Sequence, residues 1–147
     1  MYSFSLTLHL LAATVWTGGH LVLACTILPS VLKNKDLAFI QKFESCYEKI
    51  GIPALIIQIS TGVFLMKNAM GDNLTLFDFS DPISKLISIK LILLVLTGVL
   101  AMDARLRIIP NLSEKNLTSL AWHIIPVTII AVLFALAGVS FRTGLML

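Results

Sequence analysis

Charge is what this sequence has least of. Only 13% of its 147 residues are Asp, Glu, Lys or Arg, against roughly 25% in an ordinary soluble domain. So little charge cannot cover a water-facing surface, which excludes a typical soluble globule. Cysteine is nearly absent too. Cys25 lies in an apolar stretch and Cys46 in a charged one, at a spacing that fits no zinc motif. No Lys or Arg precedes Lys33, so the first apolar segment lacks the basic leader of a secretory signal. It reads as a retained span, although "VLAC" at 22–25 looks like a lipoprotein cleavage box. The sequence has no Gly-rich phosphate loop, no HExxH and no nucleophile elbow, so the parts of the familiar soluble enzymes are missing. No basic run is interleaved with aromatics, and nucleic acid is excluded as a partner.

What is abundant is aliphatic: 57% of residues are hydrophobic and the mean hydropathy is +0.93. Four apolar segments stand out, at about 4–32, 50–67, 83–102 and 120–141, long enough for spans of about 20 residues. With their flanks they predict helices over 4–32, 38–67, 83–108 and 117–142. The second begins as the amphipathic "LAFIQKFESCYEKIG" (37–51), and Pro53 is expected to kink it. In "SDPISK" Asp81 suits a helix cap and Pro82 the first helical turn. The long connection "NAMGDNLTLFDFSD" (68–81) reads as a polar-aromatic loop on the membrane surface. No internal repeat or second domain is evident. The expected architecture is all-α: one integral-membrane, four-helix up-down bundle. Lys33, Lys35, Lys42, Lys49, Arg105, Arg107 and Lys115 crowd the first and third connections. By the positive-inside rule this places both termini outside, in the periplasm of a bacterial inner membrane.

The polar exceptions inside the spans are the candidate site. His9 and His20 lie 11 residues apart, about 20° apart around a helix and roughly 16 Å apart along it. They share a face, but metal–nitrogen bonds of about 2 Å forbid a shared ion. His123 runs on an antiparallel helix, offset from His20 by about one turn, and opposed histidines can clamp a haem iron. Lys90 falls at the outer depth of His9, and Arg142 in the last turn of the fourth helix is a partner for a haem propionate. Trp16 and the glycines Gly18 and Gly19 flank His20, either as helix-packing residues or as room for a flat macrocycle. Gln58, an amide at mid-membrane, must find a partner. Glu44 and Glu48 form either a solvated face or a cation site at the inner mouth, and Asp103 with Arg107 forms a helix-end ion pair. Each histidine also has a plain reading, hydrogen-bonded to a carbonyl or hydroxyl on a neighbouring turn.

The stretch "LHLLAATVWTGG", a His followed by Trp seven residues on and then two Gly, resembles the first helix of the copper-resistance D (CopD) family of bacterial membrane proteins. The resemblance continues through "EKIGIPALIIQISTG", "ISIKLILL", "DARLR", "LAWHIIPVT" and "GVSFRTG". A more distant likeness is to the HemJ-type protoporphyrinogen oxidases, with His9, Trp16 and Lys90 in matching places. That likeness implies haem b and a working His–Lys pair. His20 and His123 have no counterpart in the second pattern.

These readings converge on a haem b-binding redox protein of the inner membrane. Its expected iron ligands are His20 and His123, with His9 ligating a second haem or serving the substrate side. A quinol or porphyrinogen is the expected partner within the lipid bilayer, and homo-oligomerisation is open. The alternatives are copper handling, with the three histidines as a relay, and a non-catalytic scaffold subunit. Against copper, the five methionines show no MxxM cluster.

Overall fold

The computed structural model describes residues 1–71 and 75–145, and all regular structure among them is helical. Part of the 68–81 connection, residues 72–74, lies outside the described residues. Helix α1 covers Tyr2–Val22, passes through a π-helical turn at Leu23–Ile27, and continues as α2, Leu28–Asn34. Helix α3 is Leu37–Met70 and α4 is Pro82–Asp103. A second π turn, Ala104–Ile108, and a short 3₁₀ turn, Ile109–Asn111, extend α4, and α5 is Leu117–Thr143. Four helical stretches are thus long and apolar enough to cross a membrane: Tyr2–Asn34, Leu37–Met70, Pro82–Asn111 and Leu117–Thr143. This is the make-up of a multi-pass membrane protein.

The ends of these helices follow from their residues. Lys35 takes the left-handed conformation that stops α2 (φ 55°). Asp36 then caps α3 by accepting from the Phe39 amide at 3.0 Å. Asp81 caps α4 by accepting from the Ser84 amide at 2.7 Å, with Pro82 next to it as expected. Gly144 closes α5 in the left-handed region (φ 68°).

Pro29 lies inside the first span, which runs on to Asn34, two residues past its expected end at 32. Each π turn ends two residues before a proline, Leu23–Ile27 before Pro29 and Ala104–Ile108 before Pro110. A proline ring clashes with the carbonyl one turn back, and a widened turn relieves that clash without breaking the helix. Pro53 and Pro126 lie inside continuous α-helix instead.

The helices pack in the order α3, α1, α5, α4, and α3 meets α4 only sparsely. Polar contacts give the registers. Thr17 donates to the Ala131 carbonyl at 3.3 Å, and the Thr128 hydroxyl lies 3.2 Å from the His20 carbonyl, so α1 and α5 run antiparallel. His9 meets Thr61 while Tyr47 meets Trp16, so α1 and α3 are antiparallel as well. Small residues sit where these helices approach: Ala12 and Ala54 are buried, and Ala131, Ala137 and Ser140 are fully so. Close backbone approach is the main source of helix association in lipid. The larger apolar core lies at the end that gathers α2, the start of α3 and the start of α5. There Leu28, Val31, Ile40, Leu117 and Leu120 interlock.

Candidate functional site

Three polar layers occupy different depths. The first, outer only in the sense that it lies at the end that holds both chain termini, is built on His9. Its Nδ1 lies 3.0 Å from the Thr61 hydroxyl, and that hydroxyl spends its single proton on the Ile57 carbonyl at 2.6 Å. Thr61 must therefore accept from His9 Nδ1–H, which leaves the lone pair on Nε2. Gly62 keeps room for the ring, because a Cβ there would sit 3.3 Å from His9 Cε1. Continuing the α1–α5 register outward from Thr128 and Ala131 brings Gly138 roughly level with Leu10, next to His9. Lys90 belongs to that layer: its Nζ is 3.6 Å from where a Gly138 Cβ would be and 5.4 Å from the centre of the Phe141 ring. That is cation–π distance. Among the described residues no carboxylate pairs with Lys90. Gln58, one turn before Thr61, has a buried Oε1 with no hydrogen-bond partner among the described residues. Arg142 follows Phe141 in the last turn of α5 and is exposed.

The middle layer is built on His20, which is only 8% exposed. Its Nδ1–H donates to the Trp16 carbonyl at 2.8 Å, so here too the lone pair is on Nε2. The Trp16 ring lies against it, with centroids 4.4 Å apart. Tyr47, which the sequence did not single out, completes the layer. Its hydroxyl donates to the Trp16 carbonyl at 3.0 Å and lies 3.2 Å from the Val15 carbonyl, while its ring meets His20 edge-on at 5.7 Å. Two glycines make its slot. A Cβ on Gly19 would clash with the Cε2–Cζ edge of the Tyr47 ring, and one on Gly51 would come within 3.1 Å of it. Gly19 is therefore a seat for Tyr47, while Gly18 faces open space. The signal was present in "FESCYEKIG": Phe43, Tyr47 and Gly51 recur every fourth residue, and Phe43 stacks on Tyr47.

The inner layer centres on His123. Its Nδ1–H donates to the Ser119 carbonyl at 2.8 Å, and Nε2 lies 2.7 Å from Asp103 Oδ2. Both ring nitrogens are engaged. Asp103 also pairs with Arg107 at 3.1 Å, the expected helix-end pair, and Arg105 pairs with Glu48 at 2.6 Å. Glu44, a turn before Glu48, has a buried Oε2 without a partner among the described residues. By register His123 falls level with Cys25, five residues inward of His20, or roughly 7.5 Å. The one-turn offset expected between His20 and His123 is thus kept, and His123 turns to Asp103 on α4. Trp122 beside it points outward and is 72% exposed.

Among the described residues no group of three or more His, Cys, Asp or Glu side chains gathers as a metal site. Among the described residues the imidazole nitrogens without a hydrogen bond are His20 Nε2 in the middle layer and His9 Nε2 in the outer one. Comparison of the chain with family models, with curated proteins and with solved structures finds no match.

Proposed function

We propose that this chain is a haem b-binding redox protein of a bacterial inner membrane, in which His20 would hold the iron. One observation carries the reading: His20 is buried with Nδ1–H locked on a backbone carbonyl, so Nε2 alone is available to a metal. Metal-binding histidines are oriented in this way, by a hydrogen bond from the ring nitrogen that does not ligate. The residues fit haem by donor chemistry. Among the described residues there are two imidazole Nε2 atoms without a hydrogen bond at different depths, a Lys90 with no carboxylate partner for a propionate, and a Gln58 Oε1 without a partner beside the His9 layer. His123 as the opposing ligand requires its Nε2 to leave Asp103. Haem b, when bound, supplies a one-electron iron couple. The chain's own residues hold the imidazole orientation through Trp16 and Tyr47, exclude water with the apolar walls of α1 and α5, and share a proton between His123 and Asp103 at the inner end.

The four spans form an up-down bundle with both termini periplasmic, and the redox partner is a membrane quinol or porphyrinogen. The test is an optical spectrum of the purified protein. A Soret band with a positive pyridine haemochrome is expected, and His20→Ala loses it, as His123→Ala does if that ring is the opposing ligand. A haem-free wild-type protein overturns the reading, and stoichiometric copper without iron replaces it with copper handling.

A further inference from the structure

The segment that leads into α4 does not stop at the helix's first residue. It descends beside it. The Phe77 amide donates to the Ser88 hydroxyl at 2.9 Å, and the Asp78 amide donates to the Ser84 hydroxyl at 3.2 Å. Ser84 in turn donates its hydroxyl proton to the Thr75 carbonyl. Ser88 lies seven residues past the cap Asp81, or roughly 10 Å down the helix. The chain therefore doubles back by nearly two turns along a span whose residues from Leu86 to Met102 are apolar or small apart from Lys90. Ser84 and Ser88 are both 0% exposed, covered by this segment. Phe77 adopts a left-handed backbone (φ 64°), an uncommon conformation for a bulky residue. That turn leaves its ring outside, 55% exposed, along a groove it shares with Leu91, Ile92, Val95 and Leu96. Phe79 is 58% exposed as well.

We propose that residues 75–81 form a lipid-inserted loop, with Phe77 and Phe79 lodged among the acyl chains of the leaflet on that side. Depth decides the occupant. An aromatic ring held beside Leu91 and Val95, on the outside of a membrane span, meets acyl chains and not water. Non-helical backbone survives near the hydrocarbon only when its polar groups are satisfied internally, and the two buried serine hydroxyls do this for the Phe77 and Asp78 amides. Polar groups set the limit of descent. The Ser80 hydroxyl donates to Asp78 at 2.5 Å and its amide at 2.9 Å, which holds the Asp78 carboxyl below the usual carboxylate range. An ionised Asp78 stays at the headgroups, and aromatic side chains belong just beneath them.

Such a loop goes deeper than the surface segment expected from the sequence, and it is independent of any haem. The experiment is nitroxide depth measurement on the full chain in phosphatidylcholine vesicles. Phe77→Cys, Phe79→Cys and Ser80→Cys are each spin-labelled in a background with Cys25 and Cys46 replaced by Ala. The labels at positions 77 and 79 are expected to collide with dissolved oxygen in preference to a water-soluble nickel chelate, and the label at position 80 to show the reverse. Adding Ser88→Ala is expected to raise nickel accessibility at position 77 several-fold. Labels at 77 and 79 as open to nickel as the one at 80 would overturn the proposal. Should Phe77→Cys fail to fold, position 79 alone decides it.

Discussion

At the scale of the residue, the informative side chains are those whose second partner is fixed. A histidine bonded at Nδ1 alone is a different chemical object from one engaged at both nitrogens, and this separates His20 and His9 from His123. The seat of Tyr47 makes the sharpest residue-level prediction. Gly19→Ala drives a methyl against the edge of that ring, and overpacking of this kind costs about 1–3 kcal/mol. Thermal unfolding in detergent should show the loss, and Tyr47→Ala should relieve most of it in the double variant, because the two sites are in contact. Equal losses with and without Tyr47 would mean that the glycine serves something else. The pair was half legible: the sequence marked Gly19 but not what fills its space, since the filler comes from another helix.

At the scale of the element, local chemistry and tertiary demand are easily told apart. The cap at Asp81 was readable because an Asn/Asp/Ser-type acceptor before a helix satisfies amides that have no other partner. Asp81→Ala should cost about 0.5–2 kcal/mol in detergent unfolding, and Asp81→Asn far less. The same loss in both variants would place the effect in charge and not in the cap. The π turns were not readable. A proline announces that a backbone bond is missing, but whether the helix kinks, stops or widens depends on the packing around it. Here Pro29 and Pro110 follow widened turns, while Pro53 and Pro126 do not.

At the scale of the whole molecule, the skewed distribution of Lys and Arg argues for one orientation. Loops one and three hold Lys33, Lys35, Arg105, Arg107 and Lys115, and the opposite side holds Lys67, Lys85 and Arg142. A C-terminal alkaline phosphatase fusion should be active and a C-terminal green fluorescent protein fusion dark. The opposite pattern reverses the assignment. The order α3, α1, α5, α4 leaves α3 and α4 in sparse contact, so the His9–Lys90 layer lies next to the least tightly closed seam.

Hydropathy by itself determined the four spans, because apolar length is a property of the chain and the bilayer asks for little more. It determined depth as well. The rise of 1.5 Å per residue carries position along a helix directly into position across the membrane, which is why His9 and His20 were separable into layers and Lys90 fell beside the former. What only the tertiary structure decided was rotation and pairing: His123 with Asp103, Tyr47 in the space of Gly19, Phe77 drawn down to Ser88. Those depend on which faces the helices turn toward one another. That choice is set by small residues in close contact on several helices at once, and no single stretch of sequence holds it.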